Sequence, residues 1–120
     1  MTVAALIVAI FGCAFILFIG GRFLLAPRLA MAGFGVPEDS LRALTSIKGV
    51  RDITSGVVPL AVLAAAGSHA FGWAMFAAAI TPIGDAVIVR TNGGTLRQAL
   101  SVHAVTAAVL IAAGLILALA

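Results

Sequence analysis

Charged side chains are scarce in this 120-residue chain, and several other residue types are nearly or wholly missing. Charged residues make up 9% of the sequence, tyrosine is absent, and there is one cysteine. A single cysteine cannot form an internal disulfide or supply a metal cage. With so little charge and no tyrosine, the chain offers little that resembles a water-facing binding surface. These absences exclude a disulfide-stabilised domain and a thiolate metal centre.

Apolar residues dominate what is present. Hydrophobic residues account for 63% of the sequence. A soluble domain of this size buries only part of the surface that its chain exposes, so it cannot hide so much apolar area from water. We therefore predict an integral membrane protein in contact with membrane lipids. The expected location is the plasma (inner) membrane of a bacterium.

Four apolar stretches are each long enough to cross a bilayer, which takes about 20 helical residues. Backbone groups in lipid must be paired within their own element, so such runs are helices. We predict an all-α, four-transmembrane-helix bundle that forms a single domain. The predicted spans cover about residues 2–25, 46–66, 70–89 and 96–120. Residues 26–45 are predicted to form an interfacial loop and a short helix from about Glu38 to Thr45.

Turn residues separate the later spans. Gly67 begins a predicted tight turn that ends at His69, and residues 91–94 (Thr-Asn-Gly-Gly) form another. Thr95 is placed to cap the helix that follows, because its hydroxyl can accept a hydrogen bond from a free N–H at the helix start. Pro82 is expected to bend the third span, since it offers no N–H to the carbonyl one turn earlier.

The basic residues indicate the orientation of the bundle. Spans one and three run in the same direction, so the segments that follow them lie on one side of the membrane. That side carries every basic residue: Arg22, Arg28, Arg42, Lys48, Arg51, Arg90 and Arg97. By the positive-inside rule this side is cytoplasmic, and both termini lie on the non-cytoplasmic side. The basic residues form no stripe with interleaved aromatics, which excludes nucleic-acid binding.

Ionisable side chains from three different spans are predicted to lie at similar depth. With a helical rise of about 1.5 Å per residue, Asp52 lies about 9 Å inside the membrane, Asp85 roughly 8 Å and His103 about 10 Å. A charge that faces lipid at depth costs at least about 2.5–3.5 kcal/mol, so these groups should turn inward and meet. The sequence therefore predicts a cytoplasm-facing polar pocket within the membrane.

Polar residues on the same helix faces complete the predicted pocket. Spacings of three, four and seven residues place those of span two on one broad face. The predicted catalytic residues are Asp85, His103 and Asp52, and the predicted ligand-binding residues are Lys48, Arg51, Ser55 and Thr106. No cofactor or metal is predicted, because the sequence has no His/Cys cluster and no phosphate-cradling glycine loop.

Several strings carry a resemblance to a known family. They are Ile47-Lys48-Gly49-Val50-Arg51-Asp52-Ile53-Thr54-Ser55-Gly56, Pro82-Ile83-Gly84-Asp85-Ala86, the stretch 20–27, the loop 33–37 and Val102-His103. Through them the chain resembles an uncharacterised family of small four-helix membrane proteins, catalogued as a domain of unknown function and similar to DoxX-like proteins. The resemblance implies the fold and a membrane location, and it implies no activity.

Three functions follow as hypotheses. In the first, the pocket binds an amphiphilic small molecule from the inner leaflet and isomerises, cyclises or hydrates it, with Asp85 or Asp52 and His103 as the acid–base pair. In the second, the chain is a structural or accessory subunit whose charges only lock helices together. In the third, it is a transporter that functions as a homo-oligomer, because the outer half of one copy has no ionisable side chain and so no polar path.

Overall fold

The structure, a computed structural model, describes residues 2–36 and 39–120, and every regular element within them is a helix. The helices are α1 (Thr2–Leu25), α2 (Pro27–Phe34), α3 (Leu41–Ala78), α4 (Ile80–Thr91), α5 (Leu96–Gln98) and α6 (Val105–Leu119). Between α5 and α6 lies a π-helical stretch, Ala99–Ala104, here called the π segment. The prediction of an all-α chain is confirmed. By their contacts the residues form two compact units, Met1–Lys48 and Gly49–Ala120.

The first unit contains α1 and α2, which pack against each other. The backbone leaves the helical conformation at Ala26 (φ −138°, ψ 64°), and Pro27 then begins α2 at a position where its missing N–H is not needed. Phe23 of α1 and Phe34 of α2 meet edge to face with ring centroids 6.3 Å apart. Gly35 ends α2 in the left-handed conformation (φ 101°). The connection predicted as a loop therefore contains a helix.

The start of α3 differs from the short helix that the sequence predicts. The hydroxyl oxygen of Ser40 accepts a hydrogen bond of 3.2 Å from the N–H of Ala43, which makes Ser40 the residue that caps the helix. From Leu41 the helix runs without interruption into the predicted second span. Glu38, the predicted first residue of the short helix, lies outside the described residues.

Gly67 interrupts α3. Its backbone angles, φ 82° and ψ −176°, are not helical and fall in a region that glycine alone adopts readily. The helical run from Leu41 to Thr91 has 51 residues, more than twice the roughly 20 needed for one crossing, and Gly67 lies near its middle. The break is narrower than the predicted turn, because Ser68 and His69 are already helical.

A second interruption separates α3 from α4. The N–H of Ala79 donates to the carbonyl of Phe76 at 3.2 Å, a bond that spans three residues where the α-helical bond spans four, so the turn is tighter. Three residues later, Pro82 has no N–H to give to the carbonyl of Ala78. The bend that the sequence predicts at Pro82 thus takes the form of a break one turn earlier, and Pro82 itself is buried.

The C-terminal part of α3 and α6 touch through glycines, a contact here called the glycine crossing. A Cβ built on Gly72 would lie 2.5 Å from the backbone nitrogen of Ala118 and 2.7 Å from the carbonyl oxygen of Gly114. A Cβ on Gly114 would lie 2.7 Å from the backbone nitrogen of Phe76. The two backbones are therefore in direct contact, the kind of approach that small residues permit between membrane helices.

Two helical runs are long and apolar enough to cross a membrane, Leu41–Thr91 and Leu96–Leu119, and Ala14–Leu25 is a shorter apolar helix. A core helix of a soluble protein would be mostly buried, yet only 17% of the apolar window of each long run is buried. Large apolar side chains such as Phe11, Ile53 and Ile116 are exposed, whereas the buried apolar residues are mainly alanines. This inverted distribution supports a membrane location.

Candidate functional site

Most predicted site residues belong to three neighbouring elements of the second unit. Arg51, Asp52 and Ser55 lie on α3, Asp85 on α4, and His103 in the π segment. Helix α4 packs against the π segment and against α6. The helix break at Ala79 sets the path of α4 and so the position of Asp85. The fold thus positions α4, which carries Asp85, beside the segment that carries His103.

One ion pair joins two of the predicted residues across helices. The guanidinium nitrogen Nη2 of Arg51 lies 3.5 Å from the carboxylate oxygen Oδ1 of Asp85. The Arg51 side chain is 52% exposed and that of Asp85 is 18% exposed. A charge-assisted hydrogen bond is usually about 2.7–2.9 Å long, so this contact is loose. Arg51 has further N–H donors and enough exposure to meet a third group.

Exposed apolar and charged residues lie near the ion pair of Arg51 and Asp85 in the sequence. On α3, Arg51 stands between Val50 and Asp52, both exposed, and on α4 Val87 and Ile88 follow Asp85 by two and three residues and are exposed as well. The pair is thus a charged centre with both polar and apolar residues near it in the sequence.

His103 lies in the π segment, which the sequence does not foretell. The N–H of Val105 donates to the carbonyl of Leu100, five residues earlier, in place of the usual four. Such wide turns occur often at functional sites. His103 is half-buried, and within the described part of the chain it makes no hydrogen bond or ion pair. The predicted acid–base pair of His103 and Asp85 is thus brought onto neighbouring elements without a direct bond.

Lys48 and Asp52 are exposed on α3, and neither is without an interaction partner. Lys48 belongs to the first unit and Asp52 to the second. Among the predicted site residues, the ion pair that the structure describes between two helices is that of Arg51 and Asp85.

The two predicted hydroxyl ligands donate to their own helices. The hydroxyl of Ser55 donates to the carbonyl of Arg51 at 2.9 Å, and the hydroxyl of Thr106 donates to the carbonyl of Val102 at 2.6 Å. This bond to the preceding turn is common for such residues in helices. Both oxygens keep their capacity to accept, so Ser55 and Thr106 are suited to receive a hydrogen bond rather than to give one.

Metal chemistry finds no support among residues 2–36 and 39–120. No group of three His, Cys, Asp or Glu side chains within them is close enough together to hold a metal ion. The candidate site therefore consists of the ion pair of Arg51 and Asp85 together with His103.

A comparison with known families gives one match. The family described as "Domain of unknown function (DUF4267)" matches residues 13–117, which include every predicted site residue. No curated protein and no solved structure matches the chain. The expected resemblance to a domain of unknown function is confirmed, whereas the likeness to DoxX-like proteins stays a prediction.

Proposed function

The chain belongs to this family, whose description assigns no activity, and we propose that it is a four-span membrane protein that binds an amphiphilic small molecule at the ion pair of Arg51 and Asp85. The polar head of the molecule meets the pair and His103, and its tail lies among the apolar helices. The polar pocket predicted from the sequence opens towards the cytoplasmic leaflet, and both termini lie on the non-cytoplasmic side of the membrane.

The four-span arrangement is supported by the breaks in the helices. Gly67 divides the 51-residue run from Leu41 to Thr91 into two parts, each of roughly membrane-crossing length. A left-handed Gly93 (φ 87°) lies in the turn before Leu96. With α1, these segments give four crossings, and the basic residues then fall on one side.

The observation that carries the proposed binding function is the loose ion pair of Arg51 and Asp85, in which the Arg51 side chain is half exposed. A pair that served only to hold helices together would be expected to be short and covered, since the desolvated contact gains most from close geometry. At 3.5 Å and with half of Arg51 exposed, the pair instead leaves donors for a polar head group.

His103 is the group that would act on a bound molecule. An unperturbed imidazole changes charge near neutral pH and can therefore give or take a proton. It lies on an element that packs against the helix of Asp85. If a reaction occurs, an isomerisation, cyclisation or hydration needs only such proton transfers, with Asp85 or Asp52 as the partner carboxylate.

The test of binding is the small-molecule content of the purified protein. We expect a solvent extract of the wild-type protein to contain an amphiphile of defined mass, at least about tenfold depleted in Asp85→Asn and His103→Gln. The matched control is His69→Gln, which changes a histidine that lies next to Gly67 and Ser68 and packs against Trp73. Circular dichroism establishes that the variants are folded. Equal extracts from folded wild-type and variant proteins would eliminate the site.

The test of topology is cysteine labelling. In a Cys13→Ala background, we expect Ser68→Cys to react in intact cells with a membrane-impermeant maleimide, and Asn92→Cys to react only after the membrane is opened. The reverse pattern would invert the orientation, and labelling of both sites from outside would contradict the four-span arrangement.

A second function is favoured by the same ion pair. Arg51 and Asp85 join α3 to α4, as the hypothesis of a structural or accessory subunit requires. That hypothesis predicts no bound amphiphile and full tolerance of a paired apolar replacement. The transporter hypothesis rests on oligomerisation, and flux assays in liposomes together with the particle mass would test it.

A further inference from the structure

A cavity lies between α1 and α2 of the first unit. Its volume is about 200 Å³. Pockets that take a whole small molecule span roughly 300–1,000 Å³, so the cavity is large enough for part of a ligand, such as one segment of an acyl chain. The residues that line it are Ile19, Arg22, Phe23, Ala30, Gly33 and Phe34.

The cavity combines an apolar wall with one cation. Phe23 and Phe34 meet edge to face and form an aromatic side, and Ala30, 6% exposed, lies against it. The guanidinium of Arg22 is the charged group of the lining, and within the described residues it forms no ion pair. A guanidinium with five N–H donors matches the oxygens of a phosphate.

The charge of the cavity lining and of the first unit favours an anion. Arg22 is the charged residue of the lining, and residues 1–48 contain four basic and two acidic residues. Arg22 lies at the end of α1, next to the break at Ala26. An arginine at the end of an apolar helix, beside an apolar cavity, is positioned for a head group whose tail continues along the helices.

We propose that this cavity binds an anionic membrane lipid, with the phosphate of its head group on Arg22 and an acyl chain against Phe23 and Phe34. The residues involved are all different from those of the ion pair of Arg51 and Asp85. A test of this lipid site is therefore independent of a test of the proposed function.

Gly33 provides a way to close the cavity without disturbing the fold. It lines the cavity, and a Cβ built on it would have no atom within 4 Å. A larger side chain at this position therefore enters empty space. Gly20 offers the matched control, because a Cβ there also has no neighbour within 4 Å and Gly20 does not line the cavity.

The experiment uses the full-length chain in detergent micelles and native mass spectrometry. The probes are phosphatidylglycerol and phosphatidylcholine with identical acyl chains. We expect the wild-type protein to retain phosphatidylglycerol about fivefold more tightly than phosphatidylcholine, the contribution of one cation at an anionic surface. Arg22→Gln should abolish this preference, Gly33→Leu should lower the binding of both lipids at least about fivefold, and Gly20→Leu should bind as the wild type does.

Other outcomes overturn the proposal. Equal retention of the two lipids by the wild-type protein, or an unchanged preference in Arg22→Gln, would show that Arg22 selects no head group. Unchanged lipid binding by Gly33→Leu would show that the cavity is not the site. Displacement of phosphatidylglycerol by millimolar inorganic phosphate would make free phosphate, and not a lipid, the ligand. If Gly33→Leu does not fold, Arg22→Gln still decides the matter, because it changes an exposed side chain.

Discussion

The glycine crossing and the ion pair of Arg51 and Asp85 lie in the same unit, yet they hold helices together in opposite ways. At the crossing, the backbones of α3 and α6 touch so closely that a single methyl group on Gly72 would lie 2.5 Å from a backbone nitrogen. At the ion pair, a half-exposed guanidinium lies 3.5 Å from its carboxylate. One contact leaves no space, and the other leaves space for a further group.

This difference separates stability from function. A contact between two backbones depends on shape, and it cannot exchange its partner for a ligand. An ion pair with a half-exposed member can exchange partners at small cost, because exposed pairs contribute little to stability. We therefore expect substitutions at the crossing to affect folding most, and substitutions at the ion pair to affect binding most.

The largest expected effect is that of Gly72→Ala. The new methyl group would meet the backbone of Ala118 and force α3 and α6 apart. We expect the free energy of unfolding to fall by about 3 kcal/mol, the upper part of the range for overpacked contacts. The measurement is an unfolding titration in denaturing detergent, followed by circular dichroism.

Gly56→Ala is the control for this substitution. A Cβ on Gly56 has no neighbour within 4 Å, and replacing a helical glycine by alanine stabilises a helix by about 0.5–1 kcal/mol. The two variants should therefore shift in opposite directions. Equal shifts would mean that the crossing is not closely packed.

The next largest effect is expected at Gly67, where the backbone conformation, and not close packing, requires a glycine. Gly67 has φ 82° and ψ −176°, and a Cβ there would have no neighbour within 4 Å. Gly67→Ala should lower the free energy of unfolding by about 2 kcal/mol through backbone strain alone. Gly84→Ala, at a helical glycine with equally open space, is the control. If both variants are equally stable, the break does not depend on glycine.

A smaller effect is expected at the start of α5. The hydroxyl oxygen of Thr95 accepts a hydrogen bond of 3.1 Å from the N–H of Gln98. Thr95→Ala should lower stability by about 1 kcal/mol, and Thr95→Ser should retain the cap. Hydrogen exchange at the amide of Gln98 reports the bond directly. Exchange that is equally fast in Thr95→Ser and Thr95→Ala would show that the cap does not protect this amide.

Local chemistry made part of the fold predictable. The helical character follows from the apolar runs, the break at Gly67 from a residue that tolerates positive φ, and the cap at Thr95 from a hydroxyl before a helix. Helix α2 was missed although its signals are present: Pro27 opens it and Gly35 closes it.

The sequence predicts which residues could form the site but not how they pair. The helical rise predicts similar depths for Asp52, Asp85 and His103, but it does not say which charges pair, because pairing depends on the rotation of α3 against α4. The π segment has no local signal in its sequence, Ala-Leu-Ser-Val-His-Ala. It packs against α4, and a single-sequence pattern carries no information about such packing.

The smallest effect on stability, and the most informative one, is expected at the ion pair. Arg51→Leu leaves the mostly covered carboxylate of Asp85 without its cation, whereas Asp85→Leu leaves a guanidinium that is already half exposed. We expect Arg51→Leu to lower the free energy of unfolding by about 0.5–1 kcal/mol and Asp85→Leu by less, since exposure screens the pair.

The double variant, Arg51→Leu with Asp85→Leu, decides between the two functions of the pair. Two apolar side chains in contact should restore stability to nearly the wild-type level, because no charge is left unpaired. A pair that binds an amphiphile would still be lost, so the extracted small molecule should stay at least about tenfold depleted although the protein is stable. An apolar contact can replace an ion pair that only holds helices together, but it cannot supply a donor and an acceptor for a polar head group. A double variant that recovers both stability and the bound molecule would therefore leave the charges only a structural role.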